Sequence, residues 1–231
     1  MRNRSLILLV ISFLIAAFAR AQYSAPELMG KIQEDRYISP TGQFSMPIPV
    51  LEELGGQVTD SSNVVTFEDA FTTHITIAVY PMDNALRQQL ATKTKKDFLA
   101  DFFSQAILPS LLSQSRGSSV ESAKFLPKTM DGALLLQTLM PGGTMFLHRI
   151  FLFGRHDNIP VAKRGNLLFV RGDSVFIISS ELVERSTERS LYTKTTAEED
   201  EILRERLLKI LDRMTFTTAT NPSANITAPA K

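Results

Sequence analysis

Leu167-Leu168-Phe169-Val170-Arg171-Gly172-Asp173-Ser174-Val175-Phe176-Ile177-Ile178 decides the fold. Two runs of Leu, Val, Ile and Phe flank a polar tetrapeptide, and such short apolar runs bounded by turn residues read as strands buried on both faces. A Gly-Asp pair between them suits a tight hairpin turn. Arg171-Gly172-Asp173 also matches an integrin-recognition triplet, but the turn explains it without a receptor. Asn166 to Ser179 is therefore read as an antiparallel hairpin, and the fold is built outward from it.

Upstream, Glu121 to Leu126, Ala133 to Met140 and Phe146 to Phe153 have the same β-prone composition, separated by Lys128 to Gly132, Pro141-Gly142-Gly143 and Gly154 to Gly165. Downstream, Thr196-Ala197-Glu198-Glu199 fits a capping box and precedes Leu203, Leu207, Ile210, Leu211 and Met214 at helical spacing. In the front half, Gln43 to Ile48 alternates like a half-buried strand, and Val64 to Phe67 with Thr73 to Tyr80 makes a second hairpin. Between the halves, Asp83-Asn84 can cap a helix with apolar positions at Leu86, Leu90, Phe98, Phe102 and Ala106, which Pro109 should kink or end. Consecutive strands joined by short turns predict an α+β fold: an α/β/α sandwich with a largely antiparallel sheet, one long middle helix and a C-terminal helix.

The first 21 residues read as a signal peptide, with Arg2 and Arg4, an apolar run from Leu6 to Phe18, and a small-x-small site at Ala19-Arg20-Ala21. That run of 13 residues is short of the ~20 that span a bilayer, so no stable membrane anchor is expected after cleavage. Residues 22–36 are a lead-in or a short helix, 37–216 a single domain, and 217–231 a disordered tail poor in anything to bury. Cleavage removes three arginines and no acid, leaving 22 basic against 24 acidic residues, a charge of −2. Such balance gives no electrostatic reason to expect nucleic acid as a partner. With no Cys, an exported chain must rely on its packed core.

Familiar chemistries find little support. There is no thiol, no Gly-x-Ser-x-Gly elbow, no phosphate-cradling glycine frame and no Asp-rich calcium loop. Of three histidines, His74 and His148 fall on strands and His156 in a loop, with no ligand spacing among them, so neither metal nor cofactor is expected. Glu181, Glu184 and Glu188 alternate with Arg185 and Arg189, while Glu198 to Glu201 occupy a helix's first turn, where the dipole favours negative charge. Asn225-Ile226-Thr227 would accept a glycan in a eukaryotic secretory lumen.

The element order from Tyr37 to Phe216 resembles the PsbP-like fold, shared by extrinsic photosystem proteins and many exported bacterial proteins. Tyr37-Ile38-Ser39-Pro40-Thr41-Gly42-Gln43-Phe44-Ser45-Met46-Pro47 is similar to that group's opening strand, followed by the hairpin, helix, meander and a final Leu207 to Phe216. The resemblance implies a fold and no site residue. A photosynthetic role is not implied, since a chloroplast transit peptide would be longer and rich in Ser and Arg.

Two functional expectations follow. The first is a secreted or periplasmic, non-enzymatic binding or accessory module. The polar stretch 154–165, with Arg155, His156, Asp157, Lys163 and Arg164, would be the loop that meets a partner protein or small ligand. The second is a ligand-binding or hydrolytic pocket in which folding gathers His74, His148, Tyr80 and carboxylates.

Overall fold

A computed structural model describes residues 28–146, 160–187 and 192–217. The expected signal peptide, the Asn225 tripeptide, the tail after Thr217, and most of the expected Phe146 to Phe153 strand lie outside the described residues. So do His148, Arg155, His156 and Asp157.

The strands are β1 (Lys31–Gln33), β2 (Arg36–Ile38), β3 (Phe44–Pro47), β4 (Gln57–Asp60), β5 (Val64–Glu68), β6 (His74–Pro81), β7 (Ser119–Leu126), β8 (Ala133–Pro141), β9 (Val161–Arg171), β10 (Ser174–Glu181) and β11 (Thr215–Phe216). The helices are α1 (Asn84–Thr92), α2 (Lys95–Phe102), α3 (Leu108–Gln114), α4 (Val183–Thr187) and α5 (Thr196–Arg213). A seven-stranded sheet runs β4-β5-β6-β10-β9-β8-β7, and a smaller one β1-β2-β3-β11. Every neighbouring pair is antiparallel, as an α+β fold of hairpins requires.

The β9–β10 hairpin holds the centre. Gly172 takes a positive φ of 55°, and Arg171 pairs with Ser174 across the turn. Asp173 receives the Arg87 guanidinium, with Nε to Oδ1 2.7 Å, an exposed pair that ties the turn to α1. Strand alternation then divides two cores. Ile75, Ile77, Leu167, Phe169, Phe176 and Ile178 face α5 and the small sheet, packing on Tyr37, Phe44, Leu207 and Leu211. Ala78, Leu134, Leu136, Leu168 and Ile177 face the other way, onto Phe98, Leu99, Phe102 and Phe103. Each such fully buried large side chain contributes about 1.5–3 kcal/mol.

Several expectations are corrected. The middle helix is three: α1 stops where Lys93 becomes extended, and Thr94 restarts the chain by accepting from the Asp97 amide at 3.2 Å. A π turn at Phe103–Ile107 then places Pro109 in the first turn of α3, where its missing N–H costs no helical hydrogen bond. The α-helix is thus interrupted just ahead of Pro109 and continues through Leu111 and Leu112 to Gln114. Residues 22–36 are not a helix or an unstructured lead-in in their described part. β1 and the first residue of β2 fall within them, and the Met29 and Gly30 amides donate to Asp60 at 2.8 and 2.7 Å. β4 was not expected, because Gln57-Val58-Thr59-Asp60 carries a single apolar residue.

Candidate functional site

The sequence places Lys163 and Arg164 in a solvated loop, and the structure corrects this. Pro160 precedes β9, which already includes Val161 and Ala162, so the strand begins before both cations. Residues alternate along a strand, so Lys163 and Gly165 point to α5, and Arg164 and Asn166 to the opposite face. Gly165 is the close-approach point: a Cβ there would lie 2.9 Å from Leu207 Cδ1 and 3.2 Å from Leu203 Cβ.

Lys163 is fully buried, at 0% exposure, yet three carboxylates converge on its Nζ. Glu121 Oε2 stands at 2.5 Å, Asp200 Oδ1 at 2.6 Å and Glu199 Oε2 at 3.1 Å. Burial works against the ammonium, but hydrogen bonds to Asp200, Glu121 and Glu199 hold its pKa above the ordinary lysine value. Each carboxylate arrives for a local reason. The β7–β8 register shifts between Val120 and Ser122, and this bulge leaves Glu121 unpaired and re-aimed. Glu199 comes from the first turn of α5 and Asp200 follows it; the capping box sits one residue earlier than the sequence suggests. Thr195 is the cap and Glu198 closes the box, with the Glu198 carboxylate accepting from the Thr195 amide at 2.7 Å. That frame frees Glu199 to turn inward.

Arg185 completes the network. Its Nη1 donates to Glu199 Oε1 at 2.6 Å and Oε2 at 2.7 Å, and its Nε to the Val161 carbonyl at 3.1 Å. Burial and the adjacent Glu199 carboxylate push the Tyr192 phenol up. Beside the network is a cleft of about 230 Å³ between β7, β8 and the start of α5, lined by Ser122, Lys124, Leu135, Gln137, Asp200 and Arg204 among others.

On the other face, the β5, β6, β10, β9 and β8 registers align Glu68, His74, Glu181, Arg164 and Thr138 in one cross-strand row. Glu181 is its centre. It accepts from the Thr144 hydroxyl at 2.5 Å and the Met145 amide at 2.9 Å, with Arg164 Nη2 3.8 Å away. Burial raises the Glu181 pKa against these interactions and lowers that of Arg164 against the pull of Glu181. Burial first, and the Arg164 charge second, push His74 down to about 4. It is therefore neutral at pH 7, and its 3.8 Å approach to Glu68 is no ion pair there.

Of the residues expected to meet, the structure brings His74 to carboxylates, with Glu68 3.8 Å away and Asp69 lining the same pocket of about 240 Å³, but keeps Tyr80 apart. Tyr80 shares a strand face with His74 but lies six residues further along, about 20 Å at ~3.3 Å per residue, and packs on Phe102 with centroids 5.5 Å apart. Lys163 and Arg164 diverge to opposite faces. No group of three His, Cys, Asp or Glu among the described residues is placed to hold a metal ion; around Lys163 the ammonium itself is the cation. Glu121, Gln137, Glu181, Arg185, Glu199 and Asp200 were not read as a site. The available signal was Pro160-Val161-Ala162, which marks a strand start ahead of Lys163.

Neither a family model nor a curated protein sequence matches the chain. Several solved structures are similar in fold. The Ran-binding protein Mog1p of Saccharomyces cerevisiae shares 9% identity at a TM-score of 0.45, over 82% of this chain and 96% of that one. Cyanobacterial PsbP (CyanoP) of Synechocystis shares 10% at 0.45, over 83% and 99%. A Bacteroides thetaiotaomicron protein shares 11% at 0.39, over 81% of this chain and 50% of its own length. CyanoP belongs to the group that the element order resembles. The likeness is one of fold.

Proposed function

We propose that the chain is a non-enzymatic accessory protein of the secreted or periplasmic space that binds a protein partner through Arg155, His156 and Asp157. One observation carries this reading: both roots of the segment bearing those residues are tied to the same buried carboxylate. Thr144 and Met145 hold Glu181 from one side and Arg164 from the other. Next to Arg164, Lys163 is clamped by three acids and Leu182 donates to its carbonyl at 2.9 Å. Recognition segments work best on such rigid roots. Lys163 and Arg164 then serve the partner indirectly, as anchors, because their charges are already committed or buried.

The export half of the proposal rests on the basic start, the apolar run and the Ala19-Arg20-Ala21 site; among the described residues no helix is long and apolar enough to cross a membrane. The test is a pull-down from the extracytoplasmic fraction with wild type and an Arg155→Ala/His156→Ala/Asp157→Ala variant of unchanged melting temperature. A partner retained by wild type and lost by the variant is expected. Equal recovery by both, or saturating bait that recovers nothing, refutes the assignment.

A further inference from the structure

Leu51-Glu52-Glu53-Leu54 is an exposed tetrapeptide held in one shape. The Leu54 and Gly56 amides donate to the Leu51 carbonyl at 3.0 and 2.9 Å and the Gly55 amide to the Glu52 carbonyl at 2.9 Å, while Gly55 takes a φ of 72° that a side chain would strain. The Ala70 amide donates to the Leu54 carbonyl at 3.2 Å, which docks this turn on the one between β5 and β6. That second turn is fixed in its own right: Asp69 Oδ1 accepts from the amides of Phe71, Thr72 and Thr73 at 2.8, 2.7 and 3.0 Å. The cavity of about 240 Å³ lies where the two turns meet, lined by Gly55, Glu68, Asp69, Ala70, His74 and Met145 among others.

The apolar groups around this cavity are not needed by the fold. Leu51, Leu54 and Met145 are 61%, 43% and 44% exposed, and a turn of this kind closes as well with polar side chains. The charge is one-sided. From Tyr37 to Leu86, 50 residues, the chain carries six acids, Glu52, Glu53, Asp60, Glu68, Asp69 and Asp83, and no Lys or Arg. All of the cavity wall except Met145 and Phe146 comes from that stretch. Glu68 is 43% exposed and, among the described residues, has only His74 within ion-pair reach. His74 is 7% exposed and neutral at pH 7, and its Nε2 makes no hydrogen bond, so the imidazole stands behind Glu68 without supplying a countercharge. Leucine and carboxylate together select what would fit. The acids repel a nucleic acid or an anionic membrane, a free polyamine leaves the leucines wet, and a second copy sets Glu52, Glu53 and Glu68 against themselves. A protein segment with Lys or Arg among Leu-type residues meets both needs: a cation enters toward Glu68 with its stem along Met145, and apolar neighbours cover Leu51 and Leu54.

We infer that the surface formed by the Leu51 to Gly56 turn, the β5–β6 turn and Met145 docks a basic, apolar segment of a partner protein, with one Lys or Arg of that segment seated in the cavity beside Glu68. The surface shares no residue with the 154–158 segment, so it stands whether or not that segment binds a protein.

The test is fluorescence anisotropy of the full mature chain at pH 7.5 with the labelled peptide Leu-Lys-Leu-Leu-Lys-Lys-Leu-Leu-Lys-Leu, with versions carrying Gln or Glu for every Lys or Ser for every Leu, and with spermidine as competitor. The Leu/Lys peptide is expected to bind, more weakly as salt rises, and the three altered peptides to bind far less. Leu54→Gln should weaken it about tenfold and Glu68→Gln about fivefold. Glu205→Gln, the same loss of charge at an exposed site on α5, should leave the affinity unchanged. Leu51→Gln, at a more exposed position, repeats the test should Leu54→Gln fold poorly. Absence of binding by wild type overturns the inference, as does equal affinity in Leu54→Gln, Glu68→Gln and Glu205→Gln, or binding of the Ser-for-Leu peptide as tight as that of the parent. Displacement by spermidine at matched charge concentration reduces the surface to a general attraction for cations and overturns it too. Loss of binding in Arg155→Ala/His156→Ala/Asp157→Ala but not in Leu54→Gln moves the peptide to the other segment, and a dimer that Leu54→Gln abolishes gives the surface to a second copy; either result refutes the assignment.

Discussion

Replacing Lys163 by Met removes one ammonium and leaves Glu121, Glu199 and Asp200 around the space it filled. Breaking a buried ion pair by deleting one partner costs about 3–5 kcal/mol, because the remaining charge is uncompensated. Here the lower end applies. Glu199 keeps Arg185, and the Glu121 and Asp200 side chains are 22% and 31% exposed, so water can reach two of the three acids. About 3 kcal/mol corresponds to a melting point lowered by roughly 6–12 °C in a domain of this size. The pH dependence is the sharper signature. With the ammonium gone, like charges face one another around the emptied space at neutral pH, a repulsion that acid relieves. The deficit against wild type should therefore be largest at pH 7.5 and shrink at pH 4.5. Urea and thermal unfolding of both proteins at the two pH values measures it. A variant that melts within about 2 °C of wild type at pH 7.5, or whose deficit is the same at both pH values, refutes the view of Lys163 as the cation that three acids require.

His74 gives a second pH signature. Its folded pKa of about 4 lies below the unfolded 6.5, so its contribution is complete above pH 6.5 and is lost as pH falls toward 4. At pH 5 the loss is about 2 kcal/mol. Glu181, raised by burial, acts in the opposite sense and gains on acidification. His74→Leu should therefore flatten the fall in stability between pH 6.5 and 4, and a curve parallel to wild type in a denaturant series would count against the burial argument. Gly165→Ala forces a methyl to within 2.9 Å of Leu207 and 3.1 Å of Gln137 Oε1, and should cost about 1–3 kcal/mol by chemical denaturation. Thr195→Ala removes the cap that sets the frame of Glu199, and about 1 kcal/mol with it. The neighbouring Thr196→Ala, outside the box, should cost much less.

The large elements were legible because their signals are local. A β-branched run, a Gly-Asp turn and a Leu every third or fourth residue report burial without knowing the neighbour, so the β9–β10 and β5–β6 hairpins and α5 appear where expected. The two cores also follow from alternation, since Ile75, Ile77 and Val79 and the face opposite them were readable as opposed sets. The misread strands share a cause: in each, a distant partner decides. Gln57 to Asp60 becomes β4 by pairing with β5, and Asp60 also receives Tyr37. Lys163 and Arg164 look like loop residues because cations in a buried strand make sense only once Glu121, Glu199, Asp200 and Glu181 arrive from elsewhere. Even the single-residue error in the capping box was consequential, because Thr195 and Thr196 are chemically alike and only the choice between them decides that Glu199 faces inward.

The charged end of β9 also answers a problem posed by its apolar end. Leu167 to Val170 and Ala133 to Leu136 are continuous apolar runs, and a two-residue slip would keep every side chain on its proper face. Hydrophobic burial alone thus distinguishes such registers poorly. Lys163 distinguishes them sharply: moved by two residues, or about 7 Å, it loses all three acids at once. A double variant, Lys163→Met/Glu199→Met, separates stability from register. It removes one cation and one acid together, which lowers the excess of acid around the site, but Arg185 loses its carboxylate, so only part of the stability lost by Lys163→Met should return. The residual charges Glu121, Asp200 and Arg185 no longer tie β9 to α5 in one place. Hydrogen exchange across Val161 to Val170 should then be faster than in wild type at matched global stability. Equal protection in the two proteins would show that Gly165 and Leu207 packing fixes the register without the ions.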